Sequence, residues 1–273
     1  MMTLAAIFAV VTILEQQRAD AVALVHAVEA ATAQVHDFRA AVTVDRVDSL
    51  TDESERRIGR VLLESVGASA NDPSGASAAP ANTRRLALIL DTYLGADGRA
   101  DESRRHFIYD GGWLAEIDLD RRQFVNRQIV APGETFDPLR VGEGPLPLPI
   151  GQRADDVLAR FDVMTVTVPS SGLLRSLTGV RGVRLVPKSG SGEAQETRSV
   201  DLFYDEESFL PRGVIQRRVN GDRVEVQLRD PRMNTGLSEE ERGLLTIRTP
   251  DPRDGWAVDV RPWRRGGEPM DKE

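Results

Sequence analysis

The sequence predicts an α+β fold, an antiparallel sheet with its helices kept apart from its strands. Three observations carry this. Most of the chain reads as a succession of short alternating runs, the pattern of half-buried strands. Asn220-Gly221-Asp222 separates two of them, and Asn-Gly supplies the positive φ that a tight hairpin requires. Helical spacing is confined to the N-terminus and the middle of the chain, which places helices against one face of a sheet.

Taken in order, Val25, Val28, Ala31 and Val35 give a helix over 22–35, with Glu29 and Gln34 outward. Phe38, Ala40, Val42 and Val44 then alternate with polar residues as a strand, and "RRIGRVLLES" (56–65) is the second. Residues 67–83 contain only small or turn-forming side chains. They offer too little apolar area to offset ordering, so a flexible loop is expected. "RRLALILDTYL" (84–94) is the third strand. Residues 131–151 are rich in Pro and Gly, which argues against a central strand there. Ala154, Val157, Leu158 and Phe161 give a short amphipathic helix, with Asp155 and Asp156 placed well for its dipole. Leu173, Leu174 and Leu177 suggest another turn or two. Strands return as "GVRGVRLVPK", "RSVDLFYD", "GVIQRRV", "DRVEVQLRD" and "GLLTIRTP".

The stretch "HFIYDGGWLAEIDLDRRQFVNRQIV" (106–130) reads as three strands and two turns. Phe107, Tyr109, Trp113, Ala115, Ile117 and Leu119 share one parity across Asp110-Gly111-Gly112, and the expectation is a single continuous apolar face. Such a face covers either the protein's own helices or a ligand.

Composition narrows the chemistry. With 40% hydrophobic and 29% charged residues the chain is an ordinary globular one, and its 273 residues suffice for one large domain. A net charge of −8 argues against nucleic acid, whose phosphates call for clustered Lys and Arg. The basic pairs Arg56-Arg57, Arg84-Arg85, Arg104-Arg105, Arg217-Arg218 and Arg264-Arg265 read as solvated faces. The absence of cysteine removes thiol catalysis, thiolate metal sites and disulfides. His26, His36 and His106 lack metal-ligand spacing, and no nucleophile elbow or phosphate-cradling loop occurs. Paired carboxylates fall at turns and helix starts, where solvation and capping account for them. No enzyme and no cofactor is indicated.

The first residues, "MMTLAAIFAVVTIL", are apolar but shorter than the ~20 residues of a membrane span. Their length suits a signal-peptide core, and Ala19-Asp20-Ala21 has the small-x-small form of a cleavage site, although no basic residue precedes the run. The expected organisation is a signal peptide over 1–21, one domain over 22–262 and a polar tail over 263–273. The expected location is the periplasm, or the cytoplasm if the apolar run is instead a buried helix.

The order of segments resembles a known family. "FRAAVT" after a helix, then "GRVLLE", "RRLALIL", "FIYDGGWLAEID", "LVPK", "FYD…LP" and "LLTIRTP" is similar to the periplasmic lipoprotein carriers of the LolA/LolB type, over roughly Val22 to Val260. The resemblance implies an open antiparallel half-barrel with helices covering its concave face, which holds the acyl chains of a lipoprotein. Phe107, Tyr109, Trp113, Ala115 and Ile117 would then line the concavity. Val157, Leu158 and Phe161, with the helix over 22–35, would form the lid. The family has an arginine followed by proline after its second strand that helps to hold the lid. Here that strand ends Leu63-Glu64-Ser65-Val66, and Arg84 or Arg85 could reach the same space. The implied function is a carrier of a lipoprotein or other lipid-like ligand, working with membrane-bound delivery and acceptor proteins. The alternative is a structural or sensory protein of the same fold that binds a protein partner and fills the cavity with its own side chains.

Overall fold

The computed structural model describes residues 2–66, 83–95, 97–131, 139 and 150–263, with side chains from Glu15 onward except those of Val66 and Thr83. The expected loop (apart from Thr83), the polar tail (apart from Trp263) and all but Ala131, Leu139, Ile150 and Gly151 of the Pro/Gly-rich segment lie outside the described residues.

Helix α1 (Met2–Thr32) is followed by a meander of six strands, β1 (Asp37–Val47), β2 (Ser54–Val66), β3 (Thr83–Leu94), β4 (Ala100–Asp110), β5 (Trp113–Asp118) and β6 (Gln123–Gln128). After α2 (Ala154–Arg160) come β7 (Phe161–Val166), β8 (Val180–Pro187), the short α3 (Glu193–Glu196), β9 (Thr197–Asp205), β10 (Pro211–Arg218) and β11 (Arg223–Met233). A single turn, α4 (Glu239–Gly243), leads to β12 (Ala257–Arg261). The strands form one open sheet in the order β12-β6-β5-β4-β3-β2-β1-β11-β10-β9-β8-β7, antiparallel except where β12 runs beside β6. The two meanders meet at β1 and β11. This is the expected α+β open half-barrel.

The inner face carries the main core. Phe38, Val42, Val61, Leu63, Leu88, Leu202, Val214 and Val226 are buried there together with Leu24 and Val28 of α1 and Val157 of α2. The outer face is covered as well. Leu237 and Leu245, from the segment around α4, bury Leu62, Ala87, Ile89, Ile108, Ala115 and Phe124, while Leu174 and Leu177 cover Phe203 and Ile215. Cover on both faces explains "LALIL" in β3, where every residue from Leu86 to Leu90 is buried and alternation is lost. Gly59 sits at a register shift against β3, where a Cβ would lie 1.8 Å from the Ile89 carbonyl oxygen, so only glycine allows that approach.

Three local expectations are corrected. "GLLTIRTP" is not a strand. Ser238 and Glu241 form a reciprocal capping box that starts α4, and the following residues cross the outer face because β12 takes the sheet edge beside β6. Phe161 ends α2 in extended geometry (φ −125°, ψ 144°) and opens β7, a strand the periodicity did not separate from the helix. Leu173–Ser176 forms one 3-10 turn. At the N-terminus, the apolar run and the helix expected over 22–35 are one continuous helix. Among the described residues no helix is long and apolar enough to cross a membrane.

Candidate functional site

The sequence-derived site divides between the two faces. Gly111 and Gly112 (φ 58° and 86°) make a two-residue turn, so Tyr109 pairs with Leu114, Ile108 with Ala115, and His106 with Ile117. A two-residue loop makes residues of opposite parity share a face, whereas the single-face expectation assumed equal parity. Phe107 and Tyr109 therefore stand on the inner face with Leu114. Ala115 and Ile117 join the outer cluster, and the register puts Trp113 on that side. Val157, Leu158 and Phe161 do belong to the inner cluster. The structure thus brings Phe107, Tyr109, Val157, Leu158 and Phe161 together on the inner side and removes Trp113, Ala115 and Ile117 from it.

Above this face lies a cover in two parts. Helix α1 packs on β7 and β8 through Leu24, Val25 and Val28, with α2 beside it. The Lys188 ammonium donates to the Leu158 carbonyl (2.7 Å) and holds α2 to the end of β8. Leu139 and Ile150, both fully buried, enter the same core from the connection between β6 and α2. The two parts are joined by a latch. The Arg84 guanidinium donates to the carbonyls of Ile150 (3.1 Å) and Gly151 (2.7 Å), and Gly151 N–H donates to Thr32 Oγ1 (2.9 Å) at the end of α1. Of the two arginines considered from sequence, Arg84 makes these bonds, while Arg85 pairs with Asp110 (3.0 Å). Gly151 fits because its φ is +64° and a Cβ would meet Arg84 Nη2 at 2.6 Å and Val35 Cγ1 at 3.0 Å. Packing under α1 is tight, with a void of about 20 Å³ bordered by Val25, Val28, Val157 and Tyr204.

The inner face opens at one end into a groove of about 970 Å³, between the β1–β2 turn, Tyr93 and the β10–β11 hairpin. Arg46 of β1 and Arg218 of β10 line this groove, and Arg57 of β2 and Arg105 of β4 border, with Arg46, a recess beside it. This small recess has Val44, Leu90 and Phe107 as its floor. Arg57 stacks over the Tyr93 ring (5.5 Å), donates to Ser103 Oγ (3.0 Å) and pairs with Glu55 (2.5 Å). Arg105 lies 3.5 Å from Asp118. Partial burial lowers the pKa of Arg46 from the ordinary guanidinium value; Glu55 opposes this, and the like charges of Arg218, Arg57 and Arg105 add to it.

Three of these arginines, Arg57, Arg105 and Arg218, belong to the basic pairs of the sequence, and Arg46 belongs to none. Adjacent strand residues point to opposite faces, so each pair sends one member each way. Arg57, Arg84, Arg105 and Arg218 go inward, while Arg56, Arg85, Arg104 and Arg217 bond outer carboxylates, Asp45, Asp110, Asp120 and Asp201. Among the described residues no cluster of three or more His, Asp or Glu could hold a metal ion.

No family model matches the chain, and no curated protein sequence matches it. Solved structures do. A domain from Vibrio parahaemolyticus named for outer-membrane lipoprotein sorting is 12% identical over 84% of this chain and 100% of its own, with a TM-score of 0.36. The Mycobacterium tuberculosis lipoprotein LppX is 13% identical over 80% of this chain and 96% of its own, with a TM-score of 0.39. A chain of the Pseudomonas aeruginosa MucA/MucB complex is 12% identical over 84% of this chain, with a TM-score of 0.41, and this chain spans 61% of its length.

Proposed function

We propose that the protein is a non-enzymatic carrier that holds the acyl part of an amphipathic ligand, a lipoprotein or lipid-like molecule, on the inner face of its sheet. The observation that carries this reading is the cover. An apolar sheet face is covered by α1 and by Leu139 and Ile150, with Arg84, Gly151 and Thr32 joined by hydrogen bonds, and it opens at one end into the groove of about 970 Å³. With only about 20 Å³ free beneath α1, an acyl chain enters by displacing the cover. Each buried CH₂ is worth ~0.8 kcal/mol, so a chain of a dozen carbons can replace the contacts it disrupts. In this reading the carrier is exported, works in the periplasm, and exchanges its ligand with membrane-bound delivery and acceptor proteins.

Titration of the full chain with a fluorescent fatty acid tests it. Phe107→Asp, on the inner face beside the mouth, is expected to weaken binding by roughly tenfold or more. Ile117→Asp, on the outer face, is expected to lower stability and leave affinity within about twofold. Equal effects on binding, or no binding by the wild type at micromolar protein, would overturn the proposal.

A second reading has one specific observation in its favour: Leu139 and Ile150 already fill part of the inner core. Here the cover is permanent and the protein binds a protein partner. The reading requires that the probe fail to bind while the cover stays as protected from hydrogen exchange as the sheet.

A further inference from the structure

We infer that the ligand carries an anionic headgroup, phosphate or carboxylate, and that Arg46 and Arg218 seat it at the mouth of the half-barrel. The inference rests on the carrier reading and adds the chemistry of the ligand's polar end.

Arg46 continues the inner-face row Phe38, Ala40, Val42, Val44 along β1, so the apolar surface ends at a guanidinium. The same change occurs on neighbouring strands, where Leu90 of β3 pairs with Arg105 and Val44 pairs with Arg57. An amphiphile needs this sequence of surfaces, apolar floor and then charge, within the length of one strand. The recess over Val44, Leu90 and Phe107 is bordered by three guanidinium groups and one carboxylate, Glu55.

Two of these charges make no close ion pair, although Glu55 stands opposite Arg46 in the β1–β2 register and attracts it, and Asp222 is attracted by Arg218. Glu55 is engaged by Arg57, and Asp118 by Arg105 and the Arg121 N–H (2.9 Å). Two carboxylates at the groove rim are bound into turns: Asp48 accepts from the Leu50 and Thr51 N–H groups, and Asp222 from Ser49 and Asn220. Asp52 and Glu53, from the β1–β2 connection, also line the groove. Among the described residues, neither Arg46 nor Arg218 has a carboxylate within 4.0 Å. Arg218, Arg57 and Arg105 repel Arg46 while Glu55 attracts it, and a bound anion would add acceptor oxygens for guanidinium groups that make no close ion pair.

Competition against the fluorescent fatty acid, using the full chain, tests this with three probes: dodecyl phosphate, an uncharged dodecyl glycol ether and inorganic phosphate. Dodecyl phosphate is expected to bind about tenfold or more tightly than the ether, with a preference that shrinks as salt rises. In the Arg46→Gln/Arg218→Gln double variant the preference is expected to fall to within about twofold, with a circular-dichroism melt reporting that the fold persists. Arg46→Lys/Arg218→Lys retains charge and is expected to keep part of it. Equal binding of the two amphiphiles, or a preference untouched by the double glutamine variant, overturns the headgroup assignment and leaves the carrier reading intact. Failure of both amphiphiles overturns both. Inorganic phosphate binding as tightly as dodecyl phosphate overturns the amphiphile and leaves only an anion site.

Discussion

Gly151 and Asp201 are each held by contacts that leave little freedom. Gly151 combines a left-handed backbone with a contact that leaves no room for a methyl group, since its Cβ would fall 2.6 Å from the Arg84 guanidinium. Gly151→Ala is therefore expected to lose about 1–3 kcal/mol of stability and, by breaking the latch, to speed entry of the fatty-acid probe in stopped-flow mixing. Unchanged entry with an unchanged urea midpoint would show that Arg84 does not hold the cover. Asp201 is a different case, a carboxylate 2% exposed that accepts from Arg184 (2.6 Å) and Arg217 (2.7 Å) on the outer face. Asp201→Ala leaves two guanidinium groups facing each other without their anion. Because both arginines are about a third exposed, water screens part of the penalty, and the expected loss in urea denaturation is about 2 kcal/mol, below that of a fully buried triad. For Arg57, Arg84, Arg105 and Arg218 the residue-level signal lies in the sequence as i, i+1 basic pairs, whereas Arg46 has only its parity with Val42 and Val44. The pair signal was unreadable only because solvation of both members was assumed where strand geometry separates them.

At the scale of elements, strands with one covered face were legible and elements defined by their neighbours were not. The alternation of β1 and β11 announced itself, and so did the Asn220-Gly221 hairpin, whose Gly221 has φ 97°. The face assignment of the β4–β5 hairpin failed because loop length sets relative parity, and Gly111-Gly112 is a turn of two residues. "GLLTIRTP" misled because apolar residues lying on a sheet and apolar residues within one share the same composition. The α4 segment that lays them there is held by charge: Glu241 accepts from the Ser238 N–H (2.8 Å) and pairs with Arg39 (3.1 Å), and these bonds outweigh its partial burial and hold its carboxyl below the ordinary glutamate value. A depressed carboxylate stabilises the folded state above its unfolded pKa, and that contribution disappears as pH falls through the folded value. The outer cover is accordingly expected to be fully held above about pH 5 and to loosen as pH drops below the usual glutamate value of about 4.3. Hydrogen exchange read at Leu244 and Leu245 should follow this course, and Glu241→Gln should flatten it. A cover equally protected across that range in both proteins would assign its retention to Leu237 and Leu245 alone.

At the scale of the whole molecule, one seam decides whether the sheet behaves as a unit. The six-strand meander β1–β6 and the five strands β7–β11 are continuous only where β1 pairs with β11, from Phe38 opposite Met233 to Val47 opposite Arg223. The register shifts there between Arg39 and Ala41, and beyond the shift Val42 faces Leu228 and Val44 faces Val226, all four buried on the inner side. The sequence could announce each half through its hairpins but not this pairing, because nothing local links residues so far apart in the chain. In the proposed carrier a ligand on the inner face would cross the seam, and both halves would have to hold one curvature. Val226→Ala removes two methyl groups at the centre of the seam and is expected to cost about 1–3 kcal/mol. If the sheet is cooperative, this loss should appear equally in the exchange of slow amides in β3 and in β9, strands on opposite sides of the seam. Protection lost in β9 alone, with β3 unchanged, would instead describe two half-sheets that unfold separately. The inner face would then be a hinge between them, and ligand entry would proceed by parting the seam with the latch still closed.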